Sequence, residues 1–207
     1  MWSYPCKRLS ITIRFNQEVR HRGQRLIELV DPHAYRETLD MPKLILLGAN
    51  DPYWTVDAAS LYVEELEGPT YLRYEPNAGH NLGPGVIPAI HAFYKAILED
   101  EPLPGLEWER RDNEGLAVRW ENASGEAWLW RAHSPTRDFR EAEWFKVALP
   151  GDNGEAVATV PEPAHGWTAY YVEVVFEAPG IPSHGLTTPV QVTPNRYPRE
   201  DEFAGTE

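Results

Sequence analysis

A single cysteine, Cys6, stands in 207 residues. That excludes an intramolecular disulfide and any zinc cage built on paired cysteines. Histidines are few and scattered: His21, His33, His80, His91, His133, His165 and His184 offer no H-x-x-x-H or H-E-x-x-H spacing, so the signature of a helical zinc site is missing. Glycine-rich phosphate loops are missing too, and neither a cofactor nor a metal is expected. No window reaches the roughly 18 uninterrupted apolar residues of a membrane-spanning helix. The opening MWSYPCKRLSITIRFNQEVRHRG has no apolar core of the secretory kind. Localisation therefore stays open, with cytoplasm as the default.

Positive charge is also in short supply. The formal net charge is −13, and residues 1–100 carry 10 Lys/Arg against 13 Asp/Glu while residues 101–207 carry 9 against 19. An acidic surface of this kind repels phosphate backbones and anionic lipid, so neither nucleic acid nor membrane is an expected partner. A small-molecule or peptide substrate, of unknown identity, is the partner class left. The hydrophobic share of 42% is that of a globular chain with room for one or two cores.

Local patterning divides the chain into four parts. Residues 1–23 form an unassigned leader, because residues 1–25 hold six Lys/Arg against one acid and keep no helical or strand period; a transit-type presequence is the alternative reading. Residues 24–100 alternate helix and strand. RLIELV predicts a short helix, Asp31-Pro32 a turn, and a further helical turn ends at Pro42. KLILLGAND (residues 43–51) is a run of apolar positions between a proline and a turn cluster, as in a strand buried on both faces of a parallel sheet. VDAASLYVEELEG predicts a helix stopped by Gly68, TYLRYEP a second strand, and Val86 to Glu99 a second helix. Strand, helix, strand, helix is a parallel α/β unit.

Residues 101–195 read differently. After the Pro/Gly-rich EDEPLPG come seven short alternating runs, LEWERR, LAVRWE, AWLWRAH, WFKVAL, AVATVP, WTAYYVEVVF and TTPVQVTP, divided by turn clusters such as DNEG, NASG and PGDNG. These predict an all-β antiparallel sandwich. Trp128 and Trp130, two apart, share a face; tryptophans here fill a core or, alternatively, form a sugar-stacking platform. Residues 196–207 are expected to be a disordered tail.

Two residues carry the chemistry. In a parallel α/β sheet, functional groups collect beyond the carboxyl ends of the strands. Asp51 follows the first strand and His80 follows the second, in PNAGH, with Gly79 giving the backbone freedom for a tight path. An acid and then a histidine, one strand-helix-strand apart, is the chain order in which a carboxylate orients an imidazole for acyl transfer. The plainer readings are that Asn-Asp-Pro is an ordinary turn and that His80 is a surface turn histidine. Asp57 is expected at a helix start and His91 in packing, while Tyr53 and Trp54 either line a cleft or cover the rim.

The stretch GQRLIELVDPHAYRETLDMPKLILLGANDPYWTVDAASLYVEELEGPTYLRYEPNAGHNL resembles the C-terminal part of the catalytic domain of the PhoPQ-activated pathogenicity-related protein family, also described as autocrine proliferation repressor-like. VDPHAY, PKLILLGANDPYW, VDAASLY and PNAGH carry the resemblance, which extends over roughly residues 24–195. It implies the last strands and helices of an α/β-hydrolase fold followed by a fibronectin-III-like sandwich, with Asp51 at the acid position and His80 at the histidine position. It also implies full-length relatives that look exported. The departure is the nucleophile. No G-x-S-x-G elbow occurs, and the serines before Asp51, Ser3 and Ser10, have no glycine near them. The expected function is thus that of a hydrolase-like fragment, retaining acid and histidine but inactive as written. The alternative is a non-catalytic binding or interaction protein that uses the sandwich surface.

Overall fold

A computed structural model of the chain describes residues 17–111, 115–121 and 125–198. Most of the expected leader, residues 1–16, and most of the expected tail, residues 199–207, lie outside these. Helix α1, Gln17–Val30, begins well before the RLIELV stretch in which a helix is predicted, and Leu26, Ile27, Leu29 and Val30 on it are exposed. It ends where the sequence requires. Asp31 precedes a proline, which disfavours helical backbone, and its carboxylate accepts from His33 N at 3.0 Å to cap a 3-10 turn, Pro32–Thr38.

Strands β1 (Lys43–Gly48) and β2 (Thr70–Glu75) pair in parallel, Leu44 opposite Tyr71 and Leu47 opposite Tyr74. The burial on both faces expected of β1 does not hold, since its residues 43–47 are half-buried; it is β2 that is buried on both faces, at Tyr71, Leu72, Arg73 and Tyr74. The reason is topological: among the described strands β1 has β2 as its one neighbour, and its outer edge is open.

The helix predicted for VDAASLYVEELEG is instead two 3-10 turns, Ala58–Leu61 and Val63–Glu65. Tyr62 separates them with φ −142° and ψ −18°. Ala59 and Val63 still point inward at a spacing of four. So short a stretch, with Val, Ser and Tyr among its residues, has little propensity with which to offset helix nucleation. Helix α2, Ile87–Glu99, forms as expected, burying Ala89 and Ala92; His91 on it is exposed, not packed.

The remaining strands are antiparallel. β3 (Leu106–Arg111), β4 (Gly115–Trp120), β7 (Gly151–Asp152) and β8 (Glu155–Ala158) form a four-stranded sheet in the order β3-β4-β8-β7. β5 (Gly125–Ser134), β6 (Phe145–Ala148), β9 (Trp167–Ala178), β10 (Ile181–Thr187) and β11 (Gln191–Thr193) form a five-stranded one, in which β9 lies between β5 and both β10 and β11. β10 is not predicted from sequence because IPSHGLT has neither alternation nor β-branched density.

Within the five-stranded sheet β9 is buried on both faces over residues 169–174, whereas β6 is exposed, and the period of two on β9 sorts its side chains between two cores. Tyr170, Val172, Val174 and Phe176 join Leu116, Val118, Trp120 and Ala158 of the four-stranded sheet in one core. Ala169 and Tyr171 join Ala49, Ala59, Leu72 and Tyr74 of the α/β part in another, with Phe139 and Trp144. Trp120, Trp144 and Trp167 are core residues, whereas half-buried Trp128 and Trp130 share one face, as expected, beneath the Lys146 ammonium.

β2 is tied to the second half by polar bonds as well. The Thr187 hydroxyl of β10 accepts from Tyr74 N at 3.1 Å and donates to Leu72 O, standing in for a neighbouring strand. Buried Arg73 bonds Glu173 of β9 through Nη1 and Glu75 through Nη2, and Glu173 also accepts from Trp130 Nε1 at 2.6 Å.

Candidate functional site

Asp51 and His80 meet at the carboxyl ends of β1 and β2. His80 Nδ1 lies 2.9 Å from Asp51 Oδ2, with the acid 10% exposed and the imidazole 59%. The other Asp51 oxygen accepts from Tyr53 N at 2.8 Å, the local bond by which Asp shapes an Asx turn. Turn-forming and histidine-pairing are therefore not rivals here: one oxygen does each. Burial of the carboxylate against an exposed ring fixes the direction of the pair, since the acid can orient the imidazole while Nε2 remains free to meet a reactant. Among the described residues, no hydroxyl or thiol is hydrogen-bonded to His80.

The two loops fit because of Gly48. An added Cβ there would sit 2.4 Å from Gly79 O and 2.5 Å from Ala78 O, so the loop carrying His80 passes directly over the end of β1. This corrects the role given to Gly79, whose φ is ordinary and whose own Cβ position meets nothing closer than 3.8 Å. The positive φ values at this corner belong to Asn77 (55°), Leu82 (57°) and Gly83 (71°). For Leu82 that region is costly.

Two asparagines beside the pair reach into the second half of the chain. Asn50 Nδ2 points at the carbonyls of Phe139, Arg140 and Ala142 at 2.9, 3.1 and 2.7 Å. Asn77 makes a reciprocal pair with the backbone of Trp144, accepting from its N at 2.8 Å and donating to its O at 3.0 Å. Sequence reasoning sees both residues as turn formers. Their partners lie 67 to 92 positions away, and no local pattern signals them.

The surroundings are aromatic. Tyr53 meets the His80 ring edge-on, centroids 4.9 Å apart at 82°, and is 72% exposed, with Trp54 also exposed beside it. Both sit on the rim. Asp57 stands at a helix start, as expected, at the N-cap of the 3-10 turn Ala58–Leu61, but its carboxylate makes no cap bond there and pairs with Arg137 at 2.6 Å. Burial pushes the hydroxyls of Tyr74 and Tyr171 well above the usual tyrosine value, so both stay neutral, and Tyr74 donates to Val56 O at 2.8 Å. No group of three or more His, Cys, Asp or Glu that could hold a metal ion occurs among the described residues.

Autocrine proliferation repressor protein A of Dictyostelium discoideum is 25% identical over 186 residues, an alignment covering 74% of this chain and 38% of that protein. The chain thus spans well under half the length of this relative. The profile of the PhoPQ-activated pathogenicity-related proteins matches residues 10–140, which is more than half of the 207 residues and takes in both Asp51 and His80. By that match the chain belongs to the PhoPQ-activated pathogenicity-related protein family.

Proposed function

We propose that Asp51 and His80 are the acid and base of a serine-hydrolase-type acyl-transfer centre, acting on a small-molecule or peptide substrate. The attacking alcohol is then supplied by a segment other than those described. The observation that carries the reading is the 2.9 Å contact between Asp51 Oδ2 and His80 Nδ1, a buried acid behind an exposed imidazole. In such a pair the carboxylate holds the proton on Nδ1, leaving Nε2 to take a proton from the nucleophile, and then stabilises the imidazolium.

The architecture proposed with it is the C-terminal part of an α/β-hydrolase-like domain over residues 24–100 and a fibronectin-III-like sandwich over 101–195. The parallel β1–β2 pair supports the first, and the open edge of β1 is where further strands of a larger parallel sheet would bond. The two antiparallel sheets with a shared core support the second. A second reading, a non-catalytic interaction protein, draws its support from the free Nε2 and from the Lys146–Trp128–Trp130 face.

The tautomer of His80 tests the main reading. Nitrogen-15 spectra of the 207-residue chain at neutral pH should show the Nδ1–H form, and Asp51→Asn should shift the ring to a mixture dominated by Nε2–H. An Nε2–H ring in the unsubstituted chain overturns the assignment of Asp51 as the orienting acid.

A further inference from the structure

We infer that the segment Phe139–Trp144 is a template that sets the separation of Asp51 and His80, and that Asn50 and Asn77 are positioning residues acting through it. The inference rests on the acid–histidine reading above, and it assigns to the second half of the chain a part in the site although that half contributes no residue to the pair.

Each member of the pair sits on a short loop, and each loop is pinned by an asparagine to the same six residues. Asn50 immediately precedes Asp51 and Asn77 lies three before His80. The two amide protons of Asn50 Nδ2 are shared among the carbonyls of Phe139, Arg140 and Ala142. A flipped amide would set its oxygen against three acceptors, so the orientation is determined by the site. Asn77 pairs with Trp144 as two backbone amides pair in a sheet, donor and acceptor both used. It does so from φ 55°, a region that asparagine enters at less cost than most residues.

The template is itself fixed. Phe139 and Trp144 are 3% and 2% exposed, at the ends of the segment and in the core beneath the site. Between them Ala142 N donates to Phe139 O at 3.2 Å. On the near side Ser134 Oγ donates to Asp138 O at 2.7 Å, and Arg140 N and Nε both donate to the Asp138 carboxylate. Those bonds from Arg140 hold the Asp138 carboxyl below its ordinary value. Two loops that each dock on one rigid edge have their relative position set by that edge, and a catalytic pair tolerates only small errors in position.

The test uses the 207-residue chain and two side-chain deletions chosen to spare the backbone: Asn77→Gly, which keeps the positive φ available, and Asn50→Ala. The readout is the His80 tautomer by nitrogen-15 spectroscopy, with the tryptophan indole resonances as the check that the cores are intact. Either variant should convert a predominantly Nδ1–H ring to a mixture containing Nε2–H, and the double variant should carry the conversion furthest. Asn77→Asp, which keeps the acceptor for Trp144 N and loses the donor, should fall between Asn77→Gly and the unsubstituted chain. If the unsubstituted ring is Nδ1–H and stays so in every variant with native indole resonances, the template idea is wrong while the acid–histidine reading survives. If the unsubstituted ring is already Nε2–H, it is the reading itself that fails. Should Asn77→Gly not fold, Asn77→Asp and Asn50→Ala decide the same question.

Discussion

Replacing Arg73 with methionine removes the cation that bridges the Glu173 and Glu75 carboxylates. Its guanidinium is about nine-tenths buried and bonds Glu173 and Glu75, whose side chains are 8% and 16% exposed. After Arg73→Met, Glu173 keeps the indole Nε1 of Trp130, at 2.6 Å, as its hydrogen-bond donor, and Glu75 is left at the turn before α2, where its carboxylate packs against Gly85. The side-chain volume is largely retained, so the loss is electrostatic. Breaking a buried ion pair by deleting one partner typically costs about 3–5 kcal/mol, because the remaining charge has already lost its water. For a chain of this size that corresponds to a fall of about 6–20 °C in midpoint temperature. Urea unfolding followed by tryptophan emission, with equilibrium established from both directions, measures it. The triple change Arg73→Met, Glu173→Gln, Glu75→Gln leaves no unpaired buried charge and keeps an acceptor for Trp130 Nε1, so it should recover part of the loss. A loss below about 1 kcal/mol for Arg73→Met, the value of an exposed pair, refutes the reasoning that the cluster is dry and that it welds β2, the strand leading to His80, onto β9.

Other consequences are checked more simply. Gly48→Ala places a methyl group within 2.5 Å of two carbonyl oxygens of the His80 loop; it should cost about 1–3 kcal/mol in urea unfolding and move the His80 ring resonances. Burial pushes the His184 imidazole below its ordinary value, against a smaller opposing effect of its bond to Pro182 O. The folded chain therefore takes up that proton less readily than the unfolded one, so stability is complete above about pH 6.5 and declines as pH falls below it; His184→Leu should flatten that decline in unfolding curves between about pH 7 and pH 5. The 207-residue chain should show no saturable hydrolysis of nitrophenyl acetate above an Asp51→Ala, His80→Ala control, and turnover lost in that double variant would reveal a nucleophile within it.

The parts of this molecule that are legible in its sequence are those specified by neighbours in the chain. KLILLG and TYLRYE form the parallel strands, and Asp51 and His80 fall at their ends because each strand is closed by its own turn residues. Where a feature depends on distant partners, the sequence is silent or misleading. β1 has the apolar run of an interior strand but one neighbour among the described strands, so it is half-buried. Val56 to Leu66 has inward positions at helical spacing, yet Ala59 and Val63 are brought inward by two 3-10 turns. β10 is held as a strand by pairing with β9 and by Thr187, not by its own composition. Asn50 and Asn77 look like turn residues and are turn residues; their second role exists only because Phe139–Trp144 is folded against them.

The chain's acid–histidine pair makes its strongest demand on a longer protein of the same family, one that carries a glycine-flanked serine upstream of the stretch matching residues 24–100. The rate at which a fluorophosphonate probe modifies that serine is the measurement to make. Substituting the residues at the positions of Asp51 and His80 should each slow labelling by about 10³-fold or more. Labelling at an unchanged rate after both substitutions would contradict the account, since the pair would then have no part in activating the alcohol.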